Sequence, residues 1–375
     1  MQNIPAILPA VILTAFLACP AAAAATADTG PTSAAKTEWK LPSGLMLSQR
    51  SVDISFDRTL AVVWGQRALD KASKKSCWLI DLRTAEIEDL LSKCEEKAAR
   101  IIGDPKDARF SPDGKYLLIT ANEEKGACVL DLSTRKSVVL SVGELGRIMW
   151  IGNRLLIDGW GTCEIRDVAG NLQEKKALSG VIASDPTGKK LLVRSFSDPM
   201  VVSPEATVLR EFGRGACDKE EPLLSRSGNW AGVFCEGDDG WAYSVVSTTT
   251  DKVYRLKRPW GATFALTDNG DSIFLDGEGM NTFGAVLTGG HGPEVTTANV
   301  VFWPKEDDPW KSTKGAPTGP TMSDLVWNRM PKGKSQIIAR KAMALTLLGK
   351  ELLFVQADGN DRVLKAVTLP ETKKP

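Results

Sequence analysis

Ala108-Arg109-Phe110-Ser111-Pro112-Asp113-Gly114-Lys115-Tyr116-Leu117-Leu118-Ile119-Thr120, followed by Cys128-Val129-Leu130-Asp131-Leu132-Ser133-Thr134-Arg135-Lys136, decides the fold. It reads as strand, tight turn, strand, loop, strand and polar turn. Pro112 presets its own dihedral and Gly114 can take a positive one, which together make the tight turn between two extended segments. The order recurs. Ser184-Asp185-Pro186-Thr187-Gly188-Lys189-Lys190-Leu191-Leu192-Val193 repeats it with little change, the segments from Ser225 and Thr267 are looser copies, and those from Ile54, Ile151 and Leu347 are degenerate ones. The turns near Asp57, Asp113, Gly152, Thr187, Ser227, Asn269 and Leu348 lie 56, 39, 35, 40, 42 and 79 residues apart. A period near 40 with four short strands is that of a propeller blade, a small sheet that buries its faces only by stacking on its neighbours. The expected fold is all-β, a single β-propeller of four-stranded blades. Seven blades are expected, with an eighth inside the 79-residue interval as the alternative.

The turn Phe110-Ser111-Pro112-Asp113-Gly114-Lys115 resembles the TolB-type, WD-repeat-like propeller repeat, and the similarity covers about residues 50 to 370. The resemblance implies a fold and little about activity, because such repeats occur in TolB and also in the propellers that precede the catalytic domain of prolyl peptidases. Neither the extra N-terminal domain of TolB nor a hydrolase domain is expected here. Ring closure is expected between a strand near Gly44 to Ser48 and the last strands near Val363 to Leu369, which removes exposed sheet edges. Residues 41–370 are read as the propeller, with an inserted loop over 303–335 and a tail over 371–375.

The first 25 residues read as a signal peptide: an uncharged apolar run from Ile4 to Ala18, then small residues from Ala21 to Ala27. Residues 26–40 read as a flexible leader. Phe16-Leu17-Ala18-Cys19 resembles a lipoprotein signal, so lipidation of Cys19 is the alternative to a freely periplasmic or secreted protein. No transmembrane span is expected after this segment. The six remaining cysteines, Cys77, Cys94, Cys128, Cys163, Cys217 and Cys235, form an even set consistent with disulfides in an exported chain. Counting across turns suggests Cys77–Cys94 and Cys217–Cys235, which leaves Cys128–Cys163.

With 47 Lys+Arg against 46 Asp+Glu, the 375-residue chain carries a formal charge of +1, which excludes general attraction to nucleic acid. Its one histidine, His291 in a turn-like Thr288-Gly289-Gly290-His291-Gly292-Pro293 stretch, excludes most histidine chemistry and multi-histidine metal sites. No nucleophile elbow or phosphate loop is present, so no catalytic residue, metal or cofactor is assigned. One constellation depends on the fold. The loops between second and third strands of successive blades, read as 158–162, 195–200, 236–241, 276–282 and 356–361, hold Asp158, Asp198, Glu236, Asp238, Asp239, Asp276, Glu278, Asp358 and Asp361 with no Lys or Arg. Trp160 and Trp241 lie among them. Such loops gather on one propeller face, where they form an acidic, partly aromatic platform for a basic protein segment, or are ordinary Asp- and Gly-rich turns. The corresponding loops of the first two blades carry Lys71, Lys74, Lys75 and Lys125. The expected function is a non-enzymatic scaffold that binds a protein or peptide of the cell envelope. A metal-assisted lactonase- or lyase-like propeller enzyme using acidic loop or channel residues is the alternative.

Overall fold

The structure is a computed structural model that describes residues 38–43, 45–47, 51–67, 75–121, 126–140, 147–159, 161–195, 198–212, 223–237, 240–256, 264–277, 323–329, 334–358 and 361–369. All of these belong to one compact unit, Lys36–Pro375. Strand β1 (Glu38–Leu41) opens the unit. Blade one holds β2 (Leu45–Met46), β3 (Val52–Ile54), β4 (Leu60–Arg67), β5 (Ser76–Asp81) and β6 (Ile87–Asp89). A 3-10 turn (Leu90–Lys93) and one short helix, α1 (Glu96–Ile102), lead to blade two, with β7 (Pro105–Phe110), β8 (Tyr116–Ala121), β9 (Ala127–Asp131) and β10 (Ser137–Leu140). Blade three is β11 (Arg147–Ile151), β12 (Arg154–Asp158), β13 (Cys163–Arg166) and β14 (Leu172–Lys176). Blade four is β15 (Val181–Ser184), β16 (Leu191–Ser195), β17 (Asp198–Val202) and β18 (Val208–Glu211). Blade five is β19 (Leu223–Leu224), β20 (Trp230–Gly237), β21 (Gly240–Ser247) and β22 (Val253–Leu256). The last sheet joins β23 (Phe264–Leu266), β24 (Ser272–Gly277), β25 (Ser323–Arg329), β26 (Lys334–Leu348), β27 (Glu351–Asp358) and β28 (Asp361–Thr368), and takes β1 on the free side of β28.

The blade count is six, not the expected seven or eight. The cause is β26. Its first half pairs with β25 (Arg329 opposite Lys334) and its second half with β27 (Leu348 opposite Glu351), so two repeats share one sheet of seven strands. The loop expected over 303–335 is also shorter. Ser323–Arg329 form β25, where Leu325 and Trp327 alternate into the core, while residues 303–322 lie outside the described set. The closing strand is β1, not 44–48. Trp39 and Leu41 point inward, and Glu38 to Leu41 pair with Lys365 to Arg362, whereas Leu45 and Met46 pair with Arg67 and Gln66 of β4. Three residues assigned to the leader, 38–40, therefore belong to the sheet.

The turn chemistry repeats at the inner hairpins of blades one, two, four and five and at the first hairpin of the last sheet, but not in blade three, where Ile151 pairs directly with Arg154. Ser111 Oγ donates to Asp113, Ser111 N–H donates to Tyr116 O, and Gly114 sits at φ +71°. Ser55 with Asp57 makes the same turn in blade one. Tryptophans then tie blade to blade through their indole N–H groups. Trp64 donates to Lys106 O (3.3 Å), Trp150 to Arg109 O (2.9 Å), Trp230 to Asp268 O (3.1 Å) and Trp39 to Leu82 O (3.2 Å). Each supplies a large apolar body to an inter-blade core and satisfies its one polar atom on the neighbour's backbone. Inner strands pack on their neighbours from β3 to β7 and from β11 through β15, β19 and β23 to β26, β11 also packs on β8 of blade two, and β26 returns to β3.

The cysteine pairing is corrected. Cys77, Cys94, Cys128 and Cys163 are free thiols. The strand expected to run from Ile87 to Leu91 ends at Asp89, whose carboxylate caps the 3-10 turn at Leu91 N–H, so the ladder carries no residue 94 opposite Cys77. Cys128 packs with Cys77 and Cys94 between blades one and two, while Cys163 lies in the core between blades three and four. Burial pushes the Cys77 thiol well up, and Cys128 up to about 12, so both stay neutral and act as small apolar groups. Cys217 lies outside the described residues, and Cys235 is placed only as a position in β20.

Candidate functional site

Strand alternation sends the second-to-third-strand hairpins to one end of the unit and the inner hairpins to the other. Register puts Asp158 opposite Cys163, Ser195 opposite Asp198, Glu236 opposite Trp241, Asp276 opposite Asp324 and Asp358 opposite Asp361, all at the first end. Trp160, Asp238, Asp239 and Glu278 lie outside the described residues, as do His291 and Cys19. Where side chains are described, the acids differ. Asp358 is exposed. Asp361 pairs with Lys40 of β1 at 3.0 Å. Lys75, counted as a base at this end, is paired with Asp104 at 2.9 Å. Counting hairpins alone omitted the closing strand, which supplies Lys40, and the first residue of β11, which supplies Arg147 opposite Asp158.

Asp158 is 9% exposed and is held inward: Oδ2 accepts the Gly180 N–H at 3.2 Å, and Oδ1 is buried with no hydrogen-bond partner among the described residues. Burial raises its pKa, opposed by the Val181 and Gly180 N–H groups and by Arg147. A carboxyl with a raised folded-state pKa binds its proton more tightly when folded, so its ionisation costs stability once pH exceeds the unfolded value of about 3.9. Asp158→Asn is therefore expected to raise the thermal midpoint at pH 7 by about 1–3 °C. The gain should shrink toward zero as pH falls to about 4, where wild type is itself protonated. Unfolding scans across that range check this, and a pH-independent difference would refute it.

The inner-hairpin end holds a charged group that loop counting did not reveal. Asp53 in β3 and Arg109 in β7 occupy equivalent positions two residues before Ser55 and Ser111, with opposite charge. Arg226 stands where the other inner turns have Phe56, Pro112, Pro186 or Asp268. That repeat alignment is the signal by which the cluster could have been found. Asp53 is 3% exposed. Its Oδ2 accepts the Phe110 N–H at 3.0 Å, and its Oδ1 accepts the Thr346 hydroxyl at 3.4 Å. Arg226 reaches from the turn after β19 to β3, strands that are not neighbours in the ring, and donates to Ile54 O at 3.0 Å. Its Nη2 lies 3.5 Å from Asp53 Oδ1, and Arg109 Nη1 lies 3.7 Å from the same oxygen. Each guanidinium also lies over a ring: Arg226 at 4.3 Å from the centre of Phe56, Arg109 at 5.5 Å from Trp64. Arg109 is further forked on Asp107 at 3.0 and 3.1 Å. Burial lowers the Arg226 pKa, Asp53 opposes that, and Arg109 adds to it.

These sheets, wound about one axis, make a β-propeller. No protein-family model matches the chain, and no curated protein matches it. Solved structures similar to it include hydrazine synthase of Kuenenia stuttgartiensis, with TM-score 0.48 and 13% identity over 88% of this chain and 97% of that one. The β-propeller domain of Cps50 (Swd1) from Myceliophteria thermophila gives 0.48 and 9% over 88% and 99%. The β-propeller domain of the trilobed protease from Pyrococcus furiosus, described as having an open velcro topology, gives 0.48 and 12% over 91% and 98%. The likeness says nothing of activity. Among the described residues, no helix is long and apolar enough to cross a membrane.

Proposed function

We propose that this propeller, with its TolB-type repeat, is an exported, non-enzymatic scaffold of the periplasm or cell envelope that binds a basic protein or peptide segment at its acid-bearing end. The observation that supports the reading is the register, which sets Asp198, Glu236, Asp276, Asp358 and Asp361 at the same end of successive hairpins. With Asp158 buried and Asp361 paired to Lys40, the platform rests on the positions of Asp198, Glu236, Asp276 and Asp358. Between exposed charges such attraction acts mainly on association rate and is screened within about 8 Å at physiological ionic strength.

The test is capture of a partner from a cell-envelope extract, followed by association kinetics of wild type and the Asp238→Asn/Asp239→Asn double variant at two salt concentrations. Several-fold slower association of the variant at low salt, converging on wild type at high salt, is expected. Asn keeps the turn propensity of Asp, so thermal stability should not move. Rates identical between the two proteins at both salts would leave these hairpins as ordinary connectors.

A further inference from the structure

We propose that Arg109 and Arg226, at the inner-hairpin end of the unit, form a seat for a carboxylate, supplied by a small organic acid or by a peptide C-terminus. The two guanidinium groups face one buried carboxylate at 3.7 and 3.5 Å, close enough for charge attraction, yet neither hydrogen-bonds to it. Asp53 spends its oxygens on the Phe110 N–H and the Thr346 hydroxyl instead. Arg226 makes one hydrogen bond, through Nη2 to Ile54 O, so its Nε and Nη1 donors have no partner among the described residues. Arg109 commits Nε and Nη2 to Asp107 and leaves Nη1 without a hydrogen bond. Each guanidinium carbon lies over an aromatic ring, at 4.3 Å for Arg226 and 5.5 Å for Arg109, a contact that holds a guanidinium without using its donors. Both remain reachable, with side chains 36% and 20% exposed. Oriented donors lacking acceptors are what a carboxylate completes, taking a charge-assisted bond from each arginine.

Charge selects among anions. Arg109 and Arg226 against Asp53 and Asp107 sum to zero, so any anion gains the free donors against repulsion from two aspartates, and that repulsion is twice as large for a dianionic phosphate as for a monoanion. This seat lies at the opposite end from the acid-bearing hairpins and stands or falls independently of them.

The experiment is calorimetric titration at constant ionic strength with acetate, inorganic phosphate, and one peptide in free and amidated C-terminal forms. Wild type should bind acetate or the free-acid peptide saturably, and Arg226→Gln and Arg226→Lys should each weaken this about tenfold, the Lys variant because it keeps the charge but loses the planar, ring-held donors. Arg109→Gln should act likewise, while Asp238→Asn/Asp239→Asn should bind as wild type does. Binding of the free-acid peptide in preference to both its amide and acetate identifies a chain terminus as the source, and acetate binding as tight as the peptide's identifies a small acid. Loss of the proposal follows if no carboxylate saturates, if phosphate binds more tightly than acetate, or if Arg226→Lys and wild type are equal. Circular dichroism of each variant establishes that the propeller is intact.

Discussion

Trp39→Ala should destabilise the propeller by about 3–5 kcal/mol, the range for removing a large aromatic side chain from a packed core. Trp39 is 4% exposed and sits in the core that joins the last sheet to blade one, among Ile54, Trp78, Ile80, Leu353 and Val355. Its indole N–H reaches Leu82 O at 3.2 Å, so one side chain spans the seam where the ring closes. The expected result is a markedly lower urea midpoint, since the flanking strand positions cannot collapse into the space left. Trp39→Phe keeps most of the buried surface and forfeits the hydrogen bond, so its cost should be nearer 1 kcal/mol. Equal losses in the two variants would mean that the seam depends on the indole bond and not on packing.

Asp53→Ala is the second large effect, expected at about 2–4 kcal/mol. Removing one member of a buried charge group typically costs 3–5 kcal/mol, and the figure is reduced here because Arg109 reaches solvent. The variant leaves the Phe110 N–H without its acceptor and brings two guanidinium groups together with no shared carboxylate. Asp53→Asn still accepts from Phe110 and should lose less. Urea denaturation of both variants checks the ranking, and an Asn variant as damaged as Ala would show that charge, not the backbone hydrogen bond, dominates. Restoring much of the loss by combining Asp53→Ala with Arg226→Met would be consistent with repulsion between the two arginines.

What the sequence discloses follows the range of the interactions. The Ser111-Pro112-Asp113-Gly114 turn is local: a hydroxyl, a carboxylate and a positive φ within four residues decide it, so it can be recognised before anything is folded. The pairing of β1 with β28 is only half legible. Alternation in Glu38-Trp39-Lys40-Leu41 makes a strand, but choosing it over Leu45-Met46 depends on where Trp39 finds its pocket. The merging of two repeats through β26 is not legible, because Lys334–Leu348 reads as one extended run whichever neighbours it takes. The cysteine count points to bridges, yet Cys77 and Cys128 sit on β5 and β9 of adjacent blades, and only Cys94 is brought to them by the 3-10 turn that interrupts the repeat. At the candidate sites, composition located acids on hairpins but not the inward turn of Asp158. Nor could it locate a side chain such as Arg226, whose partner is 172 residues distant.

The pairing of β1 with β28 also sets an order of events in time. The first strand of the unit waits for the last, with Glu38 opposite Lys365, so the ring cannot shut until the ribosome has delivered residue 365. Joining such distant segments is entropically costly and slow relative to the hairpins, which form locally. During synthesis Trp39 emerges early, apolar and without β28, while blade after blade assembles behind it. Until the seam shuts, that apolar edge is open to wrong partners, and shutting it is the step that withdraws the edge.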